Sequence, residues 1–189
     1  MTNQFDERFE WKSEGGFLAE AGEMLYYLMK VFAVFVLVFL ALVRHAVVDG
    51  KSMQPTFSHE DRVLVSDFCF VPSHGDVIAF YEENYWKKPL IKRVIGVAGD
   101  TVDLTADGRV VLNGQVLDED YIAERIDAAH RGDQHYPVTV PEGCIMVMGD
   151  NRNGSHDSRW TAVDFVDTDN VIGKVLVRFY PTDRMEVFW

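Results

Sequence analysis

The chain has 189 residues, of which 48% are apolar and 25% are charged. These proportions are close to globular averages and argue against a wholly disordered chain, a collagen-like repeat and a polytopic membrane protein. With 18 Lys and Arg residues against 30 Asp and Glu residues, the formal net charge is −12, which would repel a phosphate backbone, so nucleic acid is not expected as a partner.

The first predicted element is an apolar segment at residues 25–43, which follows an N-terminal tail at residues 1–24. The segment contains a single charge, Lys30, and neither Gly nor Pro. As a helix it would be about 28 Å long, roughly the hydrocarbon thickness of a bilayer. It lacks the polar stripe of a soluble core helix, and neither its flanks nor its length fit a cleaved signal peptide. We predict a retained transmembrane helix, and the flanking Lys and Arg residues lean only weakly toward a cytoplasmic N-terminus.

The remainder, residues 44–189, shows short alternating apolar runs separated by turn residues, which predicts a mainly β fold with an antiparallel sheet. The predicted strands are 62–66, 76–80, 91–97, 101–104, 110–112, 137–140, 144–148 and 171–179. Asp107-Gly108 and Asn113-Gly114 predict hairpin turns because both pairs tolerate a positive φ. Residues 103–143 are interpreted as a hairpin and loop inserted in the sheet, not as a second domain. Besides the membrane segment, only 121–129 and 17–23 are predicted to be helical.

Several common sites are missing from the sequence. Cys69 and Cys144 lie far apart in apolar runs, without a CxxC motif or a histidine at metal-ligand spacing, so we expect buried free thiols and leave a disulfide between them open. No phosphate-binding loop, HExxH motif, zinc cluster or EF-hand loop occurs, so no metal and no cofactor are predicted. The consecutive residues Ser155, His156 and Asp157 cannot form a catalytic triad because neighbouring side chains diverge.

One pair of residues offers nucleophilic chemistry. Ser52 lies between Gly50 and Pro55, which predicts a rigid exposed bend. Lys92 and Arg93 lie in a predicted strand, where alternation places them on opposite faces, so one of the two charges should point inward. A buried lysine beside a serine hydroxyl would form a Ser-Lys dyad.

The energy involved is large but attainable. A lysine with its ordinary pKa of about 10.4 is charged at pH 7, and making it neutral there costs roughly 4.6 kcal/mol. Desolvation in an apolar pocket lowers a lysine pKa by ~3–5 units, and Met53, Ile91 and Val94 are suitable walls for such a pocket. From the residues alone, a turn serine and an ordinary surface lysine remain the competing interpretation.

The chain resembles the bacterial type I signal peptidases, membrane-bound Ser-Lys endopeptidases that remove signal peptides from exported proteins. The likeness is carried, in order, by the apolar segment and by residues 50–56, 91–100 and 148–159, with a weaker match at 62–80. It extends from about residue 25 to the last strand near residue 181. The short insertion resembles the compact form common in Gram-positive bacteria.

The resemblance implies a role for each matching residue. Ser52 would be the nucleophile and Lys92 the general base, with Ser155 orienting the lysine amine. Asp157 and Arg159 would form an ion pair near the site, while Arg93 and Ser158 also fall on motif positions. Met53 and Ile91 would line the pocket for the residue before the cleaved bond. These residues are all named by their positions in this chain.

Two departures from the family pattern bear on the site. Some members carry, at the position of Gly50, a serine whose hydroxyl helps to hold the oxyanion, so this chain must rely on backbone N–H groups, of which that of Ser52 is the obvious candidate. The link from Arg44 to Ser52 is also short and reaches at most about 28 Å, so we expect an active site close to the membrane surface.

The implied function is a serine endopeptidase that cleaves signal peptides after a small-x-small site, anchored in the plasma membrane with its catalytic domain on the extracytoplasmic side. Its partners would be signal peptides of exported pre-proteins and the lipid bilayer. An aromatic set could touch the lipid interface or pack inside hairpins: Tyr81, Tyr85, Trp86, Phe188 and Trp189. Two other functions stay open, namely a related Ser-Lys peptidase for a pilus or conjugation substrate and a non-catalytic membrane-tethered binding module.

Overall fold

The computed structural model describes residues 14–82 and 88–188. By its internal contacts the chain divides into two compact units, Met1–Ala41 and Leu42–Trp189. The first unit contains the apolar segment and the second contains the β domain.

The apolar segment is helical throughout. Helix α1 covers Glu14–Leu42, so the predicted membrane segment and the separate helical candidate at residues 17–23 belong to one helix. Within it, Gly16–Leu42 is long and apolar enough to cross a membrane, with a mean hydropathy of 2.4, and it is the one such helix in the described part of the chain. The Lys30 amine lies 4.1 Å from the centre of the Tyr26 ring, as a snorkelling lysine beside an interfacial tyrosine would.

The second unit is built from antiparallel strands, which confirms the predicted fold class. The strands are β1 (Val43–Val47), β2 (Arg62–Ser66), β3 (Val77–Phe80), β4 (Leu90–Val97), β5 (Thr101–Leu104), β6 (Val110–Leu112), β7 (Gln115–Val116), β8 (Val138–Thr139), β9 (Cys144–Met148), β10 (Val166–Asp167), β11 (Val171–Tyr180) and β12 (Glu186–Val187). Each predicted strand is present to within two residues at either end.

The strands form two sheets. The larger sheet has the order β1-β2-β11-β3-β4-β9-β10, and β12 also pairs with β11. The smaller sheet has the order β7-β6-β5-β8 and comes from the predicted insertion together with the first two residues of β5. The insertion shares its apolar core with the larger sheet, because Leu104 and Val110 pack in one cluster with Ile95, Met146 and Met148.

A second apolar cluster supports the turn that carries Ser52. Met53 and Phe57 from that turn pack with Val63 and Val65 of β2 and with Val175 of β11. All five side chains are essentially inaccessible to water. The turn is therefore fixed to the sheet by burial of its own apolar residues.

Four strands were not predicted, for a physical reason in each case. Strand β1 pairs with β2 at one edge of the sheet, so its side chains are mostly exposed and show no apolar alternation. Strands β7, β10 and β12 have two residues each, too few to show a period.

The helix predicted at residues 121–129 is wrong. The amide of Ile126 donates to the Gly108 carbonyl at 3.1 Å, and the amide of Asp127 donates to the Asn153 side chain at 3.0 Å. These donors are committed to distant segments and cannot form i to i−4 bonds. Only a short 3₁₀ turn, Ala128–His130, forms at the end of the segment.

The expectation for the cysteines was half wrong. Both are free, but Cys69 is exposed and Cys144 is intermediate in exposure. Cys69 lies in the loop after β2, where its neighbour Phe70 packs against the core while Cys69 itself faces solvent. Among the aromatic residues proposed for lipid contact, Tyr81 is half exposed, whereas Phe188 is partly buried against Phe57, with the two ring centres 4.7 Å apart.

The other three residues of that aromatic set, Tyr85, Trp86 and Trp189, lie outside the described residues. Their contact with lipid stays a prediction.

Candidate active site

Ser52 lies at a sharp bend in the loop between β1 and β2. The bend begins at Gly50, whose φ of +110° lies in a region that L side chains rarely adopt. Two backbone bonds tighten it, from Gln54 N to the Lys51 carbonyl at 3.1 Å and from Phe57 N to the Met53 carbonyl at 2.8 Å. The predicted rigid bend is therefore present, and the serine hydroxyl projects from it.

Lys92 reaches this bend from the middle of β4. The strand is paired on one side with β3, where Lys92 lies opposite Ile78. The Lys92 amine is 2.8 Å from Ser52 Oγ and 3.2 Å from the carbonyl oxygen of Ile91. The two residues of the predicted dyad, forty positions apart in the chain, are thus in hydrogen-bonding contact.

The surroundings of Lys92 lower its proton affinity. Its side chain is 3% exposed. Burial lowers the pKa of Lys92 from 10.5 to about 8, because it penalises the charged form, and the positive Arg159 adds to this. The carboxylates of Asp157 and Asp150 act in the opposite direction. With a pKa of about 8, roughly a tenth of the lysines would be neutral at pH 7.

Arg93, the neighbour of Lys92, is buried as well, so the prediction that only one of the two charges points inward is wrong. Both faces of β4 are covered. Arg93 donates to both oxygens of Asp150, from Nε at 2.8 Å and from Nη2 at 2.7 Å, and its guanidinium carbon lies 4.0 Å from the centre of the Tyr121 ring. This bidentate pair gives the buried guanidinium a carboxylate partner inside the protein.

Asp157 and Arg159 form the ion pair that the resemblance implies. Arg159 donates from Nε to Oδ1 at 2.8 Å and from Nη2 to Oδ2 at 2.9 Å, and both side chains are fully buried. Burial would raise the pKa of Asp157, but Arg159 and the Gly149 amide outweigh it and hold that pKa below its usual range. Ser158 fixes the segment to β9, since its Oγ accepts from the Val147 amide at 3.0 Å.

Ser155 does not make the contact with Lys92 that the resemblance implies. Its side chain is 6% exposed, and its Oγ has no hydrogen-bond partner of good geometry among the described residues, although it lies near enough to Asp157 to help lower the pKa of that carboxyl. A Cβ added at Gly149 would lie 2.3 Å from Ser155 Oγ and 2.4 Å from the Ser52 carbonyl oxygen. Glycine at 149 therefore lets the Ser52 turn and Ser155 approach each other.

The predicted oxyanion donors differ in availability. The Ser52 amide donates to no acceptor among the described residues. The Gly50 amide, in contrast, donates to Nδ1 of His59 at 3.2 Å. Ser52 N–H is therefore open to an oxyanion, whereas Gly50 N–H is occupied.

The predicted pocket walls are only partly open. Ile91 is intermediate in exposure and packs against the Met53 cluster, whereas Met53 itself is 1% exposed. Met53 thus lies beneath the surface. Beside the Ser52 turn, a groove of about 430 Å³ is bordered by Gln54, Pro55 and Asn151.

Some site residues were not found by sequence reasoning. Asp150 joins Arg93 to the Ser52 turn, because its Oδ2 also accepts from Thr56 Oγ1 at 2.5 Å. Arg152 is buried and donates to both carboxylate oxygens of Glu119, at 2.6 and 3.1 Å. Asp150, Thr56 and Arg152 all lie within residues 50–56 or 148–159, which carry the family resemblance. Their place in these motifs was the only sequence feature that pointed to them.

Comparisons with known proteins agree on one group. The family model described as "Signal peptidase, peptidase S26" matches residues 21–180. "Signal peptidase I" of Leptolyngbya laminosa is 37% identical over 165 residues, which cover 82% of this chain and 76% of that protein. "Signal peptidase IB" of Staphylococcus aureus strain Mu50 is 30% identical over 180 residues, covering 84% and 91%.

The chain is also similar to a further curated protein and to one solved structure. "Signal peptidase I P" of Bacillus subtilis subsp. natto is 33% identical over 161 residues, covering 79% of this chain and 85% of that protein. A crystal structure of a signal peptidase I from Enterococcus faecalis V583 is 33% identical, covers 56% of this chain and 97% of that chain, and has a TM-score of 0.43.

Proposed function

Because the chain belongs to the signal peptidase S26 family, we propose that it is a membrane-anchored serine endopeptidase that removes signal peptides from exported pre-proteins. The observation that carries the catalytic part of this proposal is the 2.8 Å contact between the Lys92 amine and Ser52 Oγ. The lowered pKa of the buried Lys92, about 8, supports it, because a general base must be neutral for part of the time at working pH.

The first half of the reaction forms an acyl-enzyme. Ser52 Oγ attacks the carbonyl carbon of the scissile bond, and the hydroxyl proton moves to the neutral Lys92 amine. The proton crosses the 2.8 Å contact between Ser52 Oγ and the amine. The developing oxyanion accepts a hydrogen bond from Ser52 N–H. Lys92 then gives its proton to the leaving amine, which departs as the new N-terminus of the mature protein.

The second half releases the signal peptide. A water gives a proton to the neutral Lys92 amine and attacks the ester carbonyl, and the amine returns the proton to Ser52 Oγ as the ester breaks. The ion pairs beside the site limit the opposing effect of the nearby carboxylates. Asp157 and Asp150 favour the charged form of the amine, but each is paired with an arginine and neither bonds to the amine, so burial still lowers the pKa of Lys92.

The substrate chemistry follows from the family. A signal peptide presents an extended segment with small residues before the cleavage site, which a strand edge can bind through backbone hydrogen bonds. Ile91, half buried beside the dyad, would border the pocket for the residue before the cut, with Met53 as its floor. Because Met53 is fully packed, the pocket above it would be shallow and would accept only small substrate side chains.

Two features support the bilayer as a partner. Helix α1 is long enough to cross a bilayer, and its apolar side chains are exposed. Phe68 and Val71, in the loop that follows Ser66, are 64% and 77% exposed, so the β domain also carries large apolar side chains available for contact with a bilayer.

The proteolytic proposal is tested with the full chain in detergent and a purified pre-protein. We expect wild type to cleave after a small-x-small site, and Ser52→Ala and Lys92→Ala to be inactive. Lys92→Arg should be inactive too, because arginine stays protonated. Ser73→Ala, an exposed serine in the loop after β2, is the matched control and should cleave at the wild-type rate.

Either of two results would contradict the proposal. Cleavage that survives both Ser52→Ala and Lys92→Ala would rule out the dyad. A wild-type protein that binds pre-proteins without cleaving them would instead support a non-catalytic binding module.

The side of the membrane is tested separately by cysteine labelling. Ala106 lies exposed in the turn between β5 and β6, so Ala106→Cys in a Cys69→Ser, Cys144→Ala background presents one thiol at the surface of the β domain. A membrane-impermeant maleimide applied to intact cells should label this variant if the β domain is extracytoplasmic. Labelling only after the cells are opened would place the domain inside.

A further inference from the structure

The oxyanion donor, Ser52 N–H, belongs to the same peptide group as the Lys51 carbonyl. That peptide is trans and planar, so its N–H points away from its C=O and the two cannot turn independently. A contact that fixes the direction of the Lys51 carbonyl therefore also fixes the direction of Ser52 N–H.

Two donors hold the Lys51 carbonyl, and they come from different parts of the chain. The Gln54 amide reaches it at 3.1 Å from within the same turn. The side-chain amide of Asn151 reaches it at 3.1 Å from the segment that follows β9. The Gln54 bond shapes the turn but moves with it. Of the two, the Asn151 bond is the one that connects this carbonyl to the body of the β domain.

Asn151 also holds the next peptide group. Its backbone amide donates to the Ser52 carbonyl at 3.0 Å. One residue therefore contacts the carbonyl before the Ser52 Cα and the carbonyl after it. Together these two bonds restrain both peptide groups that flank the nucleophile, and they do so relative to the sheet.

The side chain of Asn151 makes this contact in place of a local one. Asn151 is the N-cap residue of the short 3₁₀ turn Arg152–Gly154, where an asparagine side chain commonly accepts from an amide of its own turn, yet here it makes no such bond. Gly154 keeps space for the side-chain amide, since a Cβ there would lie 2.6 Å from Asn151 Nδ2 and 2.9 Å from its Cγ. Both features leave the amide free to reach the Lys51 carbonyl.

We propose that Asn151 is a positioning residue for the oxyanion site: its side-chain amide holds the Lys51 carbonyl and thereby directs Ser52 N–H at the oxyanion. The inference rests on the proposed peptidase function. Because the oxyanion exists only after Ser52 has attacked, loss of this bond raises the energy of the transition state and leaves substrate binding nearly unchanged.

Two substitutions in the full chain remove the contact in different ways. Asn151→Ala deletes the side-chain donor and keeps the backbone bond to Ser52. Gly154→Ala keeps the donor but displaces it, because the new Cβ would overlap the end of the Asn151 side chain. With a pre-protein in detergent, each variant should lower kcat about fivefold with KM nearly unchanged. Asn153→Ala, which removes side-chain bonds to residues 124–127, is the matched control and should keep the wild-type kcat.

Nuclear magnetic resonance gives a readout that does not depend on activity. The sequence contains two Lys-Ser peptides, Lys12-Ser13 and Lys51-Ser52, so labelling with ¹³C-carbonyl lysine and ¹⁵N-serine selects two amide signals, and Ser13→Ala assigns them. The order parameter of Ser52 N–H measures the orientational freedom of that bond. It should fall from about 0.85 toward about 0.6 in Asn151→Ala and Gly154→Ala and stay high in Asn153→Ala.

Several results would overturn the inference. These are equal kcat in Asn151→Ala and wild type, a change in KM alone, a loss of rate that Gly154→Ala does not share or that Asn153→Ala shares equally, and an unchanged order parameter. A wild type that does not cleave would overturn the proposed function and this inference with it, whereas an active wild type beside unaffected variants would overturn the inference alone.

Discussion

The two faces of β4 bury neighbouring cations in opposite ways. On one face, the Lys92 amine contacts the Ser52 hydroxyl and the Ile91 carbonyl, and no carboxylate of the described residues lies within hydrogen-bonding distance of it. On the other face, Arg93 donates to both oxygens of Asp150. Both cations are buried, but with different consequences: burial without a carboxylate partner lowers the pKa of Lys92, whereas the Asp150 carboxylate compensates the charge of Arg93.

The largest expected effect comes from replacing the unpaired cation. Lys92→Met keeps an unbranched side chain in the pocket and removes the amine. We expect kcat/KM to fall about 10⁴-fold, because the general base is lost. The free energy of unfolding should stay equal or rise, since no partner carboxylate is left bare. Initial rates and chemical denaturation of the full chain in detergent check both parts, and a marked loss of stability would mean that Lys92 is structurally paired.

Removing the carboxylate partner of Arg93 should, in contrast, lower the stability of the protein. Asp150→Leu leaves Arg93 buried without its carboxylate and removes the acceptor of Thr56 Oγ1. We expect the free energy of unfolding to fall by about 3–5 kcal/mol. The double variant Arg93→Met with Asp150→Leu should recover much of this loss. Denaturation curves in which the double variant is no more stable than Asp150→Leu would contradict the pairing as the cause.

The third prediction concerns pH. The pKa of Lys92 is lowered from 10.5 to about 8 in the folded protein, so the unfolded chain binds the extra proton between these values. The cost of burying the ammonium is fully present below pH 8 and is relieved as the pH rises toward 10.5. Wild type should therefore gain about 3 kcal/mol relative to Lys92→Met over this range. The same titration predicts that kcat/KM rises with pH and levels off above about 8.

Denaturation of wild type and Lys92→Met at several pH values isolates this titration from all others. If the two curves stay parallel from pH 7 to 10, Lys92 is not the perturbed group.

The smallest effect is expected at Ser155. Its buried hydroxyl has no well-formed hydrogen bond among the described residues. If it orients the neutral Lys92 amine during the reaction, Ser155→Ala should lower kcat/KM about tenfold while leaving the free energy of unfolding unchanged or slightly higher. Ser155→Thr, which retains a hydroxyl, is the informative partner variant. Full activity in Ser155→Ala would remove Ser155 from the proposed machinery.

Much of the fold could be predicted because the strands of the β domain alternate. Strands β2, β5, β6 and β9 begin and end where the apolar pattern does. The edge strand β1 and the two-residue strands carry no such pattern, since their side chains are exposed or too few. The helix predicted at residues 121–129 failed for the complementary reason, as the amides of Ile126 and Asp127 bond to segments that are distant in sequence.

The residues of the candidate site also fall into those that local sequence predicted and those that it did not. Ser52 and Lys92 were predicted because a bend between Gly and Pro and a charge inside an apolar strand are local features. Asp150 was not, since it acts through Arg93 and Thr56, which only the folded chain brings near. Cys69 was expected to be buried from its apolar neighbours, but the loop after β2 turns only Phe70 toward the core and leaves Phe68, Cys69 and Val71 exposed.

The sequence by itself determined that an apolar helix precedes an antiparallel β domain, and which side chains could supply a nucleophile and a base. Both follow from short segments of the chain, because hydrophobic periodicity and side-chain chemistry do not depend on distant residues. Only the tertiary structure decided that both Lys92 and Arg93 are buried, and that one of them receives a carboxylate and the other does not. That decision depends on residues forty and fifty-seven positions away, at Ser52 and Asp150, which fix the solvation and the electrostatic field at each cation.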